Sequence, residues 1–215
     1  MRERRSIIFW MGGVITQSLL EVTTQVIEAR SKKNVNLLAL PRFQELCEQF
    51  TLGKIDDLQF FTEIISHGKF GLDPATIPSQ AIEVLKPEPR TLAAIGLLPP
   101  KYQRWLLCEY PRSWYEQIAK KYGMESYFPS DHVIILPDSG LEQIAPKIFD
   151  FLPVRVGDTL ENCLYFDMDP KRVIAAINRM FPAVIYVDPS RLEREFVMRN
   201  FIDRNQPVHT PPVTL

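Results

Sequence analysis

Two short acidic stretches are the first places where this sequence could do chemistry. In Leu164-Tyr-Phe-Asp-Met-Asp-Pro-Lys-Arg-Val173 the carboxylates Asp167 and Asp169 are two residues apart. Side chains alternate along an extended chain, so the pair shares one face if its strand continues that far. Such a pair suits a hard cation, although Mg²⁺ normally draws on further ligands and on phosphate. Cys108-Glu109 sets a thiol beside a carboxylate. No histidine lies close in sequence to serve as an activating base, which favours ordinary packing for Cys108. Asp131-His132 has the residue types of an acid/base pair, but neighbours on an extended segment point apart. Cys47, Cys108 and Cys163 are odd in number, far apart and without CxxC spacing. That argues against a disulfide framework or a zinc site and for a reducing compartment. His67, His132 and His209 are equally scattered.

The elements that must position these groups follow from composition and periodicity. The chain has 215 residues, 46% apolar, 11% aromatic and 24% charged, enough for a substantial core and neither disordered nor fibrous. Its 25 basic and 26 acidic side chains leave a net charge of -1, so no overall positive field draws it to nucleic acid or anionic lipid. Proline is the unusual number, 18 against 9 glycines, which implies many fixed turns. Met1-Arg-Glu-Arg-Arg5 leads into an apolar run, but no small-residue cleavage site follows and no apolar stretch approaches the roughly 20 residues of a membrane span. The expected location is the cytoplasm.

Four apolar runs read as buried strands, Ser6–Phe9, Arg104–Leu107, Leu164–Asp167 and Ala183–Val187, with Val133–Leu136 as a weaker fifth. Helical patterns over Ser113–Lys121, Leu141–Phe149 and Pro170–Met180 alternate with them, the signature of an α/β fold with a Rossmann-like parallel sheet flanked by helices. Arg191–Arg199 alternates charge signs and reads as a solvated helix face. Residues 18–83 show helical periodicity without strands, with helices expected over Leu19–Ser31, Leu40–Phe50 and Ile55–Ile65, the last capped by Asp56. The expected organisation is a core of residues 1–17 and 84–203, a helical insert of 18–83, and an unstructured tail of 204–215. The turn-rich Lys86-Pro-Glu-Pro-Arg90 returns the chain to the sheet.

In this order and spacing the segments resemble the haloacid dehalogenase-like (HAD-like) hydrolase superfamily with a small helical cap, over nearly the whole chain. Ile7-Ile-Phe-Trp-Met-Gly-Gly-Val-Ile15 is similar to that superfamily's first motif, and Trp105-Leu-Leu-Cys-Glu-Tyr-Pro-Arg-Ser-Trp114 to its second. Ser130–Asp138 resembles the third and Leu164–Ala176 the fourth, while Phe50–Phe61 is similar to the cap segment with its glycine turn and aromatic pair. The resemblance implies a nucleophilic aspartate at the end of the first strand. It also implies Mg²⁺ on that aspartate, on a nearby carbonyl and on a fourth-motif acid, with a Ser or Thr and a Lys around the transferred group. It places Trp105 in or beside a buried strand and Trp114 on the next helix. That favours core packing for the rings of Lys101–Trp105 and Tyr110–Tyr115, a mixture of aromatics and cations that otherwise suits single-stranded nucleic acid.

This sequence departs from the pattern in the first three motifs, and only the fourth is partly preserved, with Asp167 at its first acidic position. Trp10 stands where the nucleophile belongs, and an indole neither attacks phosphorus nor ligates magnesium. Gly12 stands at the acid/base position, a departure that some branches share. Cys108 replaces the hydroxyl, Leu136 stands where a lysine would precede Pro137, and Met168 separates the remaining acids Asp167 and Asp169. The expectation is a catalytically inactive HAD-like protein, a pseudoenzyme with a binding, regulatory or structural role. No cofactor is expected beyond weak Mg²⁺ at Asp167, and Trp10 is expected to fill the space of substrate and metal. The alternative is a hydrolase whose cleft is refitted around Cys108, Glu109 and Asp167, which requires a low-pKa thiol at Cys108. A third reading is a protein partner or a homo-oligomer held through an exposed patch at Phe60 and Phe61. Neither nucleic acid nor membrane is expected as a partner.

Overall fold

In the computed structural model, which describes residues 6–141 and 147–203, the five expected strands form one parallel sheet in the order β3-β2-β1-β4-β5. They are β1 (Ser6–Trp10), β2 (Gln103–Cys108), β3 (Val133–Ile135), β4 (Cys163–Asp167) and β5 (Ala183–Ile185). Every residue of β1 and β4 is buried, which is why both read as continuous apolar runs. β1 is central, with Trp10 beside Leu107 of β2 and Phe9 beside Phe166 of β4. The chain builds the β2–β3 side first and then crosses to β4, so the strand order reverses between β1 and β4. The carboxyl ends of strands at such a point form the usual crevice of an open α/β sheet.

Between β1 and β2 lie five helices: α1 (Leu19–Ser31), α2 (Phe43–Thr51), α3 (Asp57–Gly68), α4 (Ile77–Val84) and α5 (Pro89–Gly96). Ser18 caps α1 in a reciprocal box with Glu21, and Asp56 caps α3 in one with Gln59. The expected helix Leu40–Phe50 begins instead at Phe43, after a single 3₁₀ turn over Leu37–Ala39. The helices α4 and α5 were not expected. After β2 come α6 (Arg112–Tyr122), α7 (Ile148–Val156), α8 (Pro170–Asn178) and α9 (Pro189–Met198). Much of the expected helix Leu141–Phe149 falls outside the described residues, as do the expected tail and His209. The high proline count is partly explained by helix starts, since Pro89, Pro170 and Pro189 each open a helix where a missing N–H costs nothing.

The chain leaves and re-enters the sheet at one place. Glu88 N–H donates to Ile15 O (2.7 Å), Lys86 N–H to Gln17 Oε1 (2.8 Å) and the Tyr110 hydroxyl to Gln17 O (2.7 Å). An aromatic cluster ties the helical segment to α6. Trp114 stacks near Tyr110 and Phe61 at centroid distances of 5.8 and 6.3 Å, and Phe50 meets both Trp114 (5.6 Å) and Phe60 (4.7 Å). The Trp114 indole N–H also donates to Asp57 Oδ2 at 3.1 Å. Phe60 and Phe61 are fully buried in this cluster, which corrects the expectation of an exposed patch there. Trp114→Phe removes the indole donor and part of the ring volume, and is expected to lower stability by about 1–2 kcal/mol in urea unfolding. An unchanged midpoint would show that the Asp57 contact contributes nothing.

Candidate functional site

The carboxyl ends of β1, β2 and β4 bring Trp10, Cys108 and Asp167 together, as expected for neighbouring parallel strands. The turn after β1 is tight: Ile15 and Thr16 N–H both bond to Met11 O, and Gly13 N–H bonds to Thr16 O at 2.6 Å. Both glycines of this turn are needed. A Cβ on Gly12 would fall 1.8 Å from Glu109 Oε1, and Gly13 has φ +84° with Met168 Sδ only 1.7 Å from where a Cβ would stand.

Trp10 is 3% exposed, and its indole carries a cation on its face. Arg172 Cζ lies 4.0 Å from the ring centroid, within the usual cation–π range. The same guanidinium grips Asp167 with two prongs, Nε to Oδ2 at 2.5 Å and Nη2 to Oδ1 at 2.8 Å. Its Nη1 lies 3.3 Å from Asp169 Oδ2. Asp167 is fully buried and also accepts from the Tyr165 hydroxyl and from Asp169 N–H (2.9 Å). Burial opposes the charge of Arg172, but the Asp167 pair outweighs it and holds the guanidinium protonated beyond its ordinary range. Burial and then the charge of Asp167 push the Tyr165 phenol well above its usual value, which keeps it a donor.

Asp169 has a second task. β4 ends at Asp167, and Asp169 caps α8 through Lys171 N–H at 2.9 Å. The two acids therefore converge on Arg172 through a turn, not along one strand face. Arg172 is the site residue that the sequence reading missed. Its only local signal is the Asp169-to-Arg172 spacing of three residues at a helix start.

Glu109 is buried and accepts Gly12 N–H at 3.1 Å. Burial pushes its carboxyl up to about 7. Hydrogen bonds from its own N–H and from Gly12, and the charge of Arg172, oppose that shift, while Asp167 adds to it. Cys108 is fully buried, and its thiol donates to Tyr110 O at 3.7 Å. Burial, then the charge of Glu109, push this thiol well above the ordinary range, opposite to what a reactive nucleophile needs. Leu136 is buried in a 3₁₀ turn after β3 and supplies no charge. His132 stacks on Trp105 at 4.3 Å instead of pairing as an acid or base. The grooves of about 740 Å³ along α9 and about 650 Å³ beside α1 are lined by other residues.

Solved structures with this arrangement include HAD-family proteins. The HAD family enzyme bt-2542 from Bacteroides thetaiotaomicron, in its magnesium complex, superposes with a TM-score of 0.68 at 17% identity, over 90% of this chain and 100% of that one. This chain has the HAD-like fold. Its sheet and helices also superpose on L-2-haloacid dehalogenase from Xanthobacter autotrophicus with chloropropionic acid covalently bound (TM-score 0.61, 16% identity, 96% and 86% covered). A predicted HAD-like family hydrolase from Porphyromonas gingivalis gives a TM-score of 0.62 at 18% identity, with 86% and 91% covered. No protein-family model and no curated protein matches the sequence.

The HAD-like fold raises the question of magnesium. The donor set does not fit it. The Trp10 side chain has no oxygen, both oxygens of Asp167 are engaged by Arg172, and Asp169 caps a helix while facing the same guanidinium. Among the described residues, no group of three or more His, Cys, Asp or Glu side chains is placed to hold a metal ion. Among them too, no helix is long and apolar enough to cross a membrane.

Proposed function

We propose that this protein is a catalytically inactive HAD-like module whose role is binding, regulatory or structural, with residues 18–83 as a helical cap on a core of residues 1–17 and 84–203. The observation that carries the reading is Trp10. A buried indole at the end of the central strand, with Arg172 on its face, stands where hydrolysis in this fold would need a carboxylate. Losing a covalent nucleophile alone typically costs about 10⁴- to 10⁶-fold in rate. Cys108 and Leu136 supply neither the hydroxyl nor the cation that would cradle a phosphoryl group, and the raised thiol of Cys108 weighs against nucleophilic use of the cleft.

The refitted-hydrolase reading draws on one observation, the buried Glu109 with a carboxyl near neutrality, a value suited to proton transfer. One experiment separates the two. Purified protein with Mg²⁺ and a panel of phosphate esters and 2-haloacids is expected to give no turnover above blank. Turnover that is abolished by Asp167→Ala or Glu109→Gln would overturn inactivity. Trp10→Asp is likewise expected to recover no activity, because a restored carboxylate would face Arg172 and still lack the groups missing at positions 108 and 136.

A further inference from the structure

The acidic strand end already holds a cation, and the cation belongs to the chain. Asp167 and Asp169 come from the end of β4 and the start of α8, and both face one guanidinium, that of Arg172. A planar fork of N–H donors matches a carboxylate with two prongs, as Arg172 does with Asp167. A hard dication asks for something different, a shell of oxygen donors at about 2.0–2.1 Å in near-octahedral array. The residue opposite the carboxylates decides between the two. An oxygen-bearing side chain at the end of β1 would complete a shell for a dication, whereas the Trp10 indole offers a π face, which draws a flat and weakly hydrated cation. Tyr165 and the backbone N–H of Asp169 add donors to Asp167, so its lone pairs are directed into bonds within the protein. Arg172 itself is only 21% exposed, so it is built into the interior and does not merely lie over the surface.

We infer that Arg172 is the resident cation of this site: its guanidinium, clamped between Trp10 and the carboxylates of Asp167 and Asp169, takes the place of a divalent metal and excludes one. The inference concerns the same site as the proposed function but does not depend on inactivity. Metal-independent turnover would overturn that reading and leave this one standing.

Mn²⁺ alone is the probe, followed by water-proton relaxation and by the thermal unfolding midpoint. The wild-type protein is expected to show no saturable Mn²⁺ binding at millimolar metal and no shift in midpoint. Arg172→Ala combined with Trp10→Asp, which uncovers the two carboxylates and adds an oxygen donor at the end of β1, is expected to gain saturable Mn²⁺ binding and a midpoint that rises with metal, since a ligand of the native state alone stabilises it. Asp167→Asn in that background should abolish both gains. Should that combination fail to fold, Arg172→Gln with Trp10→Asp keeps a neutral donor to Asp167 and serves the same comparison. Saturable binding by the wild-type protein that is lost in Asp167→Asn would overturn the inference. So would a folded combined variant that ignores Mn²⁺, because the guanidinium would then not be standing in a cation's place.

Discussion

Arg172→Met is expected to lower the stability of the protein by about 3–5 kcal/mol, the usual cost of leaving one partner of a buried ion pair alone. Methionine keeps much of the aliphatic stem, so the loss isolates the charge. Asp167 is fully buried and would retain only the Tyr165 hydroxyl and Asp169 N–H as donors. The pair is asymmetric, because the Arg172 side chain keeps 21% of its surface in water and the Asp167 side chain keeps none. Asp167→Asn alone should therefore cost less, since the freed guanidinium can turn toward solvent while staying on Trp10. The double variant Arg172→Met, Asp167→Asn should recover much of the loss seen in Arg172→Met, and the coupling in a double-mutant cycle should exceed about 1 kcal/mol. Urea unfolding of the four proteins measures this. High salt should not mimic the effect, as a buried pair is poorly screened. Additive losses would mean that the two side chains are stabilised by separate neighbours.

Much of the sheet was legible because parallel strands covered on both faces are largely apolar, as Ile7–Phe9 and Leu164–Phe166 are. Strand ends were harder: Trp10 and Cys108 are themselves strand residues, and the rim of a sheet has no periodicity of its own. The helix α5 was hidden by Pro87 and Pro89, which read as a turn. At the first turn of a helix a proline breaks nothing, so Pro89 marks the start of α5. The aromatic pair Phe60-Phe61 was visible as a feature, but its direction was not. Helical spacing says that two rings share a neighbourhood, and only the arrival of Phe50 and Trp114 from other elements says that it is interior. The departures at Trp10, Cys108 and Leu136 could be read residue by residue, because each concerns what one side chain can do. Arg172 could not, because Lys171-Arg172 at a helix start looks like a solvated pair. Its meaning comes from folding back over β4 to a tryptophan more than 160 residues away in sequence.

Glu109 supplies the second large effect, with the opposite sign. Its carboxyl titrates near 7 in the folded protein, chiefly because it is buried, against an ordinary value of 4.5. Between these two values the native state holds a proton that the unfolded chain has released. Unfolding stability must then fall as pH rises through that window. Below 4.5 both states are protonated and the full contribution is present; above 7 both are ionised and the loss is complete. A gap of that size corresponds to about 3 kcal/mol at roughly 1.36 kcal/mol per unit. Glu109→Gln retains an oxygen to accept Gly12 N–H but cannot ionise. Wild-type stability in urea should decline from pH 5 to pH 8 relative to the variant, so that the two curves diverge by about 3 kcal/mol at the alkaline end. The slope is the readout, since it is independent of any constant cost of placing an amide there. The other charged groups around the carboxyl constrain the interpretation. Arg172 stays protonated across this range, and it favours ionised Glu109 while Asp167 opposes it. In Arg172→Met the decline should shift to higher pH, because the positive charge of Arg172 that eases ionisation is gone. Parallel wild-type and Glu109→Gln curves would show that water reaches this carboxylate in the native state and that burial does not govern it.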